Sequence, residues 1–242
     1  TGGRREIRAP YLSLLECQRW INDNILSALS PHACATGYVT GRSIRDHASP
    51  HVDAGFVLTI DLENFFPTIS FSRVISIFRG LGYSGQVSTS LAKLCCLDNV
   101  LPQGAPTSPS LSNIVCKRLD EKLERFAIES GLRYTRYVDD MCFSGGEIKK
   151  HTLDEIEKIV SSEGFRTNKS KTHLHAPRSN LKLVTGVNVA LGKMSLPKSY
   201  KRAISTDLFH IEKYGLRSHL AKRKIRDPNY IEALVGKVGY WL

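Results

Sequence analysis

The 242-residue chain sets 34 Lys and Arg against 23 Asp and Glu, and its net charge of +11 favours a polyanionic partner, although a generally basic, solvated surface gives the same charge. No run of about 18 apolar residues occurs, which excludes a membrane-spanning helix, and no secretory n-region and h-region are present. Hydrophobic content of 41% is that of a globular protein long enough for one large domain or two small ones.

In chain order, Gly2-Gly3-Arg4-Arg5-Glu6-Ile7-Arg8 reads as a turn entering an edge strand that Pro10 ends. Thr1 stands inside what looks like a structured segment, so the N-terminus is expected to lie upstream. Leu14, Cys17, Ile21, Ile25 and Ala28 follow a 3.6 period and predict a helix that Pro31 stops. The polar stretch from Gly37 to Gly55 predicts connecting structure with one short helix. Phe56-Val57-Leu58-Thr59-Ile60 predicts a strand buried on both faces and ending at Asp61.

Val74, Ile77 and Phe78 predict a helix over 72–79 closed by Gly80 and Gly82, and a second helix is expected over 84–97. The loop from Leu101 to Pro109 leads into one long helix, with Ser108 as N-cap, Pro109 at N1, an apolar stripe from Leu111 to Phe126, and Gly131 at C′. Arg136 to Phe143 places two adjacent aspartates between β-favouring flanks, which predicts a hairpin with a carboxylate-bearing turn. Asp also simply tolerates turns, so the pair alone decides nothing. Thr152-Leu153-Asp154-Glu155 predicts a capping box, with Ile156, Ile159 and Val160 inward and Gly164 closing the helix. A strand is expected within 181–190, and basic helices beyond Pro197. The pattern is α+β, a small antiparallel sheet with helices on one face.

The six cysteines (Cys17, Cys34, Cys95, Cys96, Cys116, Cys142) contain no C-x-x-C pair. They are expected to be small buried hydrophobes in a reducing compartment, without a structural zinc site.

A buried strand ending in a carboxylate is costly unless the charge is met. If Asp61 converges with Asp139 and Asp140, the three form a hard oxygen-rich site of the kind Mg²⁺ takes together with substrate phosphates. Two such ions serve the attacking and leaving oxygens of an in-line phosphoryl displacement.

Three motifs, in this order, resemble the polymerase core of reverse transcriptases. They are Thr59-Ile60-Asp61-Leu62-Glu63-Asn64-Phe65-Phe66, then Leu101-Pro102-Gln103-Gly104 with Ser108-Pro109, then Tyr137-Val138-Asp139-Asp140. The chain departs from many bacterial members in having Val138 where they have Ala. Gly3-Arg4-Arg5-Glu6-Ile7 is similar to the end of a fingers hairpin, and Gly164-Phe165-Arg166-Thr167-Asn168 with Lys171-Thr172 to the next motif. Val184-Thr185-Gly186-Val187-Asn188 and Gly41-Arg42-Ser43-Ile44 suit the retron branch.

The resemblance implies a right-hand fold: fingers over 1–55 (N-terminally incomplete), palm over 56–180 with an interleaved fingers segment at about 71–108, and a primer-grip region with a basic helical thumb over 181–242. It implies two Mg²⁺ ions held by Asp61, Asp139, Asp140 and the Leu62 carbonyl, with Asp140 the looser ligand. It gives Lys171 the role of proton donor and Arg5 a contact to the triphosphate. Phe66 would stand against a ribose 2′-hydroxyl, and Gln103 and Gly104 would lie by the incoming nucleotide. Thr185, Gly186, Lys222, Arg223 and Lys224 would contact nucleic acid. The implied function is that of a cytoplasmic RNA-directed DNA polymerase copying a structured noncoding RNA template-primer into DNA from deoxynucleoside triphosphates. Such enzymes act with an effector protein in retron antiphage defence, away from membranes. The alternatives are a group II intron or other defence-associated reverse transcriptase, and a non-catalytic RNA-binding scaffold on the same fold.

Overall fold

The computed structural model describes residues 7–149, 151–190 and 192–241. Helix α1 (Leu12–Asn24) is followed by a 3-10 turn at Leu26–Ala28, and α2 (Ile44–Ala48) by a second at Ser49–His51. Strand β1 (Phe56–Asp61) leads through α3 (Phe65–Thr68), α4 (Phe71–Gly80) and α5 (Gly85–Cys95) to α6 (Ser108–Val115) and α7 (Lys117–Glu129). The hairpin β2 (Arg133–Tyr137) and β3 (Asp140–Gly145), then α8 (Thr152–Ser162) and β4 (His173–His175), complete the central layer. A small hairpin, β5 (Leu183–Val184) and β6 (Val187–Asn188), precedes the terminal helices α9 (Lys198–Tyr214), α10 (Leu216–Arg223) and α11 (Tyr230–Trp241). Among the described residues no helix is long and apolar enough to cross a membrane.

The main sheet is antiparallel in the order β2-β3-β1-β4. Alternation along the strands gives it two dissimilar faces. Leu58, Ile60, Met141 and Phe143 point into the principal core, against Val74, Phe78, Leu119, Leu123, Ile156 and Val160 of the long helices. Val57 and Cys142 point the other way, onto Ala48 of α2 and Val184 and Val187 of the small hairpin. The long helices thus cover one face, as expected, while a short helix and a hairpin close part of the reverse.

Several local expectations need correction. Residues 7–10 form no strand; Arg8 instead donates its amide to the Gln103 carbonyl at 2.9 Å. Cys17 is exposed, and Gln18 takes the inward place on α1, donating to the Leu94 carbonyl at 2.7 Å. The long helix after Pro109 is two helices meeting at Cys116, and Ser108 is no cap, because its hydroxyl donates to the Pro102 carbonyl at 2.7 Å. Thr152 makes no capping box; it is buried inside the first turn of α8, with His151 at the N-cap. The strand expected over 181–190 is a hairpin, bent by Thr185 and Gly186 at positive φ.

Candidate active site

Register brings two carboxylates together. In the β1–β3 pairing Asp61 stands opposite Asp140, and the Leu62 amide donates to the Asp139 carbonyl at 2.9 Å. Asp139 occupies the two-residue turn between β2 and β3, beside Val138. All three aspartates line one cavity of about 740 Å³, together with Leu62, Phe66, Gln103, Lys171 and Thr185. The sequence-predicted residues that the fold assembles are therefore eight, drawn from β1 and the residue after it, α3, the hairpin turn and β3, the 101–109 loop, the Lys169–Lys171 turn and the small hairpin.

Asp61 is 7% exposed, and its charge is met by the Lys171 ammonium, which donates to Oδ1 at 3.0 Å and to Oδ2 at 2.9 Å. The Asn168 amide donates to the Asp61 carbonyl at 2.8 Å and ties that turn to the strand end. Lys169 does not line the cavity; of the two lysines it is Lys171 that faces it. Asp140 sits on β3 rather than in the turn, and its Oδ2 accepts from the Thr185 hydroxyl at 3.2 Å. Burial, then repulsion from Asp139 and Asp61, pushes its carboxyl up to about 6. Burial and the two neighbouring carboxylates thus both disfavour its charged form.

The turn itself is strained and braced. Val138 has φ of 61°, a left-handed conformation costly for a β-branched residue, at a position that two-residue hairpins ordinarily give to Gly or Asn. A buried hydrogen-bond network and a close-packed glycine hold it. The buried Arg136 guanidinium donates to the Val138 carbonyl at 2.9 Å and to Asn113 Oδ1 at 3.2 Å. The same guanidinium is bidentate on Asp120 of α7, at 2.8 and 2.7 Å, and the Tyr134 hydroxyl donates to that carboxylate as well. Beneath the turn lies Gly37, where a Cβ would meet the Val138 nitrogen at 2.7 Å. Gly37 ends a segment that pairs with β2: the Arg136 amide donates to the Cys34 carbonyl and the Thr36 amide to the Arg136 carbonyl, both at 2.8 Å.

Other predicted residues lie elsewhere. Gly104 does not line the cavity; its φ of 115° and close approach to the Arg8 carbonyl (3.1 Å from a built Cβ) seat the chain's early segment. Gly186 lines a neighbouring groove with Pro197, Tyr200 and Tyr240. Lys222, Arg223 and Lys224 end α10 away from the cavity, and Arg223 is paired with Asp207 at 2.7 Å. Arg5 falls outside the described residues. Sequence reasoning missed Arg8, Tyr38, Asn64 and Asn168, all of which line the cavity. Asn64, at φ of 47°, carried a signal in its tolerance of left-handed backbone between strand and helix.

The family model for reverse transcriptase (RNA-dependent DNA polymerase) matches residues 9–223. The chain is 39% identical over 209 residues to the Retron Ec86 reverse transcriptase of Escherichia coli, covering 86% of this chain and 65% of that protein. It is 34% identical to the Retron Mx162 reverse transcriptase and 37% to the Retron Mx65 reverse transcriptase, both of Myxococcus xanthus. These matches cover 79% and 78% of this chain but 46% and 49% of those proteins. The chain thus spans about half to two thirds of the length of these curated relatives. Telomerase from Candida albicans is a weak structural likeness, at a TM-score of 0.45 and 12% identity over 86% of this chain and 38% of that one. With most of its length inside the family's match, the chain belongs to the reverse transcriptases (RNA-dependent DNA polymerases) and groups with bacterial retron-type members.

Proposed function

We propose that the chain is the catalytic core of an RNA-directed DNA polymerase that extends a primer on a structured noncoding RNA with deoxynucleoside triphosphates. The observation that carries this reading is the facing pair Asp61 and Asp140, with Asp139 in the adjoining turn, at one wall of a cavity of about 740 Å³. Fingers over 1–55, palm over 56–180 with fingers residues at about 71–108, and primer-grip and thumb over 181–242 complete the assignment.

The donor set fits divalent metal. Lys171 already places a cation on both oxygens of Asp61, and Asp140, its carboxyl raised by burial and then by Asp139 and Asp61, faces the same cavity. Asp61, Asp139, Asp140 and the Leu62 carbonyl would hold two Mg²⁺ ions, with Asp140 the looser ligand by resemblance to the family. When bound, such ions stabilise the charge on the attacking and leaving oxygens of phosphoryl transfer. Lys171, displaced from Asp61, would turn to the triphosphate and donate a proton to the departing pyrophosphate, while Arg5 offsets charge from the fingers. Phe66 is 8% exposed yet reaches the cavity wall, where an apolar ring offers a ribose 2′-hydroxyl no partner. Gln103 would contact the nucleotide, and the basic thumb the duplex backbone.

The reading extends, by resemblance to retron-type enzymes, to a cytoplasmic setting in which the RNA serves as both template and primer and an effector protein joins the complex in antiphage defence. The test is primer extension with Mg²⁺ on the full-length protein, with sequencing of copurifying nucleic acid. Incorporation, together with a short DNA joined to a structured RNA, is expected. A folded, RNA-bearing protein that incorporates nothing would return the chain to a scaffold role.

A further inference from the structure

One cluster of ligand-type side chains among the described residues has no part in the cavity. His32 and Cys34 lie in the segment that pairs with β2, and Glu124 lies on α7; the ligand atoms of all three fall within 4.8 Å of one another. The Cys34 thiol donates to Glu124 Oε1 at 2.9 Å, and His32 Nε2 is 3.5 Å from Glu124 Oε2. His32 Nδ1 accepts from the Cys34 amide at 3.4 Å, so its ring is oriented with Nε2 towards the carboxylate. Cys34 is buried, while the Glu124 side chain is 39% exposed, so the cluster sits at a rim with one side open to water.

We propose that His32, Cys34 and Glu124 form a binding site for a divalent cation of the zinc class. One imidazole nitrogen, one sulfur and one carboxylate oxygen make a mixed donor set that suits Zn²⁺ and disfavours Mg²⁺, which takes oxygen alone. Tetrahedral bonds of about 2.0–2.3 Å set ligand atoms about 3.3–3.8 Å apart. The His32–Glu124 separation already lies in that range. The shorter Cys34–Glu124 contact is a hydrogen bond whose proton the ion would replace, and water on the open side supplies the fourth ligand. The two metal chemistries are thereby kept apart: oxygen ligands alone in the cavity, a mixed nitrogen, sulfur and oxygen set here.

The site's position gives it a structural task. His32 and Cys34 begin the segment that ends at Gly37, directly under Val138. A cation joining that segment to α7 adds a side-chain link at its near end to the backbone pairing that Cys34 and Thr36 make with Arg136. It acts as a staple behind the turn that carries Asp139.

The test is titration of the metal-free full-length chain with Co²⁺ and then Zn²⁺. One equivalent of Co²⁺ should produce a thiolate-to-metal charge-transfer band that Zn²⁺ displaces, and Zn²⁺ should raise the unfolding temperature. Cys34→Ser should abolish the band, and His32→Asn and Glu124→Gln should weaken affinity by at least about 10²-fold. The latter two residues are partly exposed, so their variants carry the test should Cys34→Ser not fold. Absence of the band in the parent chain overturns the proposal. So does a band of unchanged affinity in His32→Asn, which would point to another thiol such as Cys17 or Cys96.

Discussion

Lys171 and Asp61 form a two-pronged ion pair, with the ammonium 3.0 and 2.9 Å from the two carboxylate oxygens. A cation entering the site must displace that ammonium, so Lys171 both competes with metal at Asp61 and becomes available to the phosphates once displaced. Lys171→Met should therefore lower kcat by about 10²–10⁴-fold, the usual worth of a positioned proton donor, while shifting half-saturation to lower Mg²⁺. Lys169→Met, outside the cavity, should stay near the parent. Steady-state primer extension across a Mg²⁺ series distinguishes these outcomes.

Asp140 predicts a pH dependence of opposite sign to that of an ordinary paired carboxylate. Its folded value of about 6 lies above the ordinary value of 3.8, so between those limits the native state binds more protons than the unfolded chain. Metal-free protein should therefore lose stability as pH rises from about 4 to about 6, by on the order of 1–3 kcal/mol. Asp140→Asn should remove that slope and be the more stable protein at pH 7 to 8. Denaturant melts in chelator across this range give the answer, and an unchanged slope would reject the assignment.

Gly37 is constrained by Val138. A Cβ there would lie 2.7 Å from the Val138 nitrogen and 2.8 Å from its Cγ2, so Gly37→Ala must move the turn or the segment beneath it. The expected stability loss is about 1–3 kcal/mol, as for other overpacked sites. Displacing Asp139 by about 1 Å should cost on the order of 10²-fold in kcat, more than the lost stability explains. Comparing kcat with the folded fraction separates the two effects.

The Arg136–Asp120 pair, 0% exposed on both side chains, makes its own prediction. Asp120→Ala leaves a buried guanidinium without its counter-charge and should destabilise by about 3–5 kcal/mol. Arg136→Met with Asp120→Leu removes both charges and should recover much of that stability. Activity should not recover with it, because the donor to the Val138 carbonyl stays lost. Recovery of both would limit the network to folding.

Phe66→Val keeps the site apolar while opening space. Discrimination against ribonucleotides, taken as the ratio of kcat/KM values, should fall by on the order of 10²-fold, with deoxynucleotide incorporation less affected. Unchanged discrimination would make Phe66 a core residue only.

What could be read from the chain was whatever rests on local periodicity or on adjacent residues. The apolar run ending at Asp61, the hairpin around Asp139 and the helices at 72–79 and 84–97 all have such signals, and they appear with small boundary shifts. The break at Cys116 does not, since Leu111, Leu119 and Leu123 keep one apolar stripe across it. Gly37 under Val138 and Asp120 beside Arg136 are contacts between distant segments, to which no periodicity points. The full burial of Arg136, which demands a counter-charge, is likewise visible only in the fold.

The central place of β1 in the sheet has a consequence for synthesis. Its partners are β3 at residues 140–145 and β4 at 173–175, both far downstream. At about 5–20 residues per second, the apolar run Phe56–Ile60 emerges several seconds before either partner exists to cover it. During that interval the nascent chain displays a β-prone hydrophobic segment with both edges unpaired, the kind of segment that seeds aggregation. The strand that ends in Asp61 is therefore also a segment that a slowed ribosome or an absent chaperone would leave exposed.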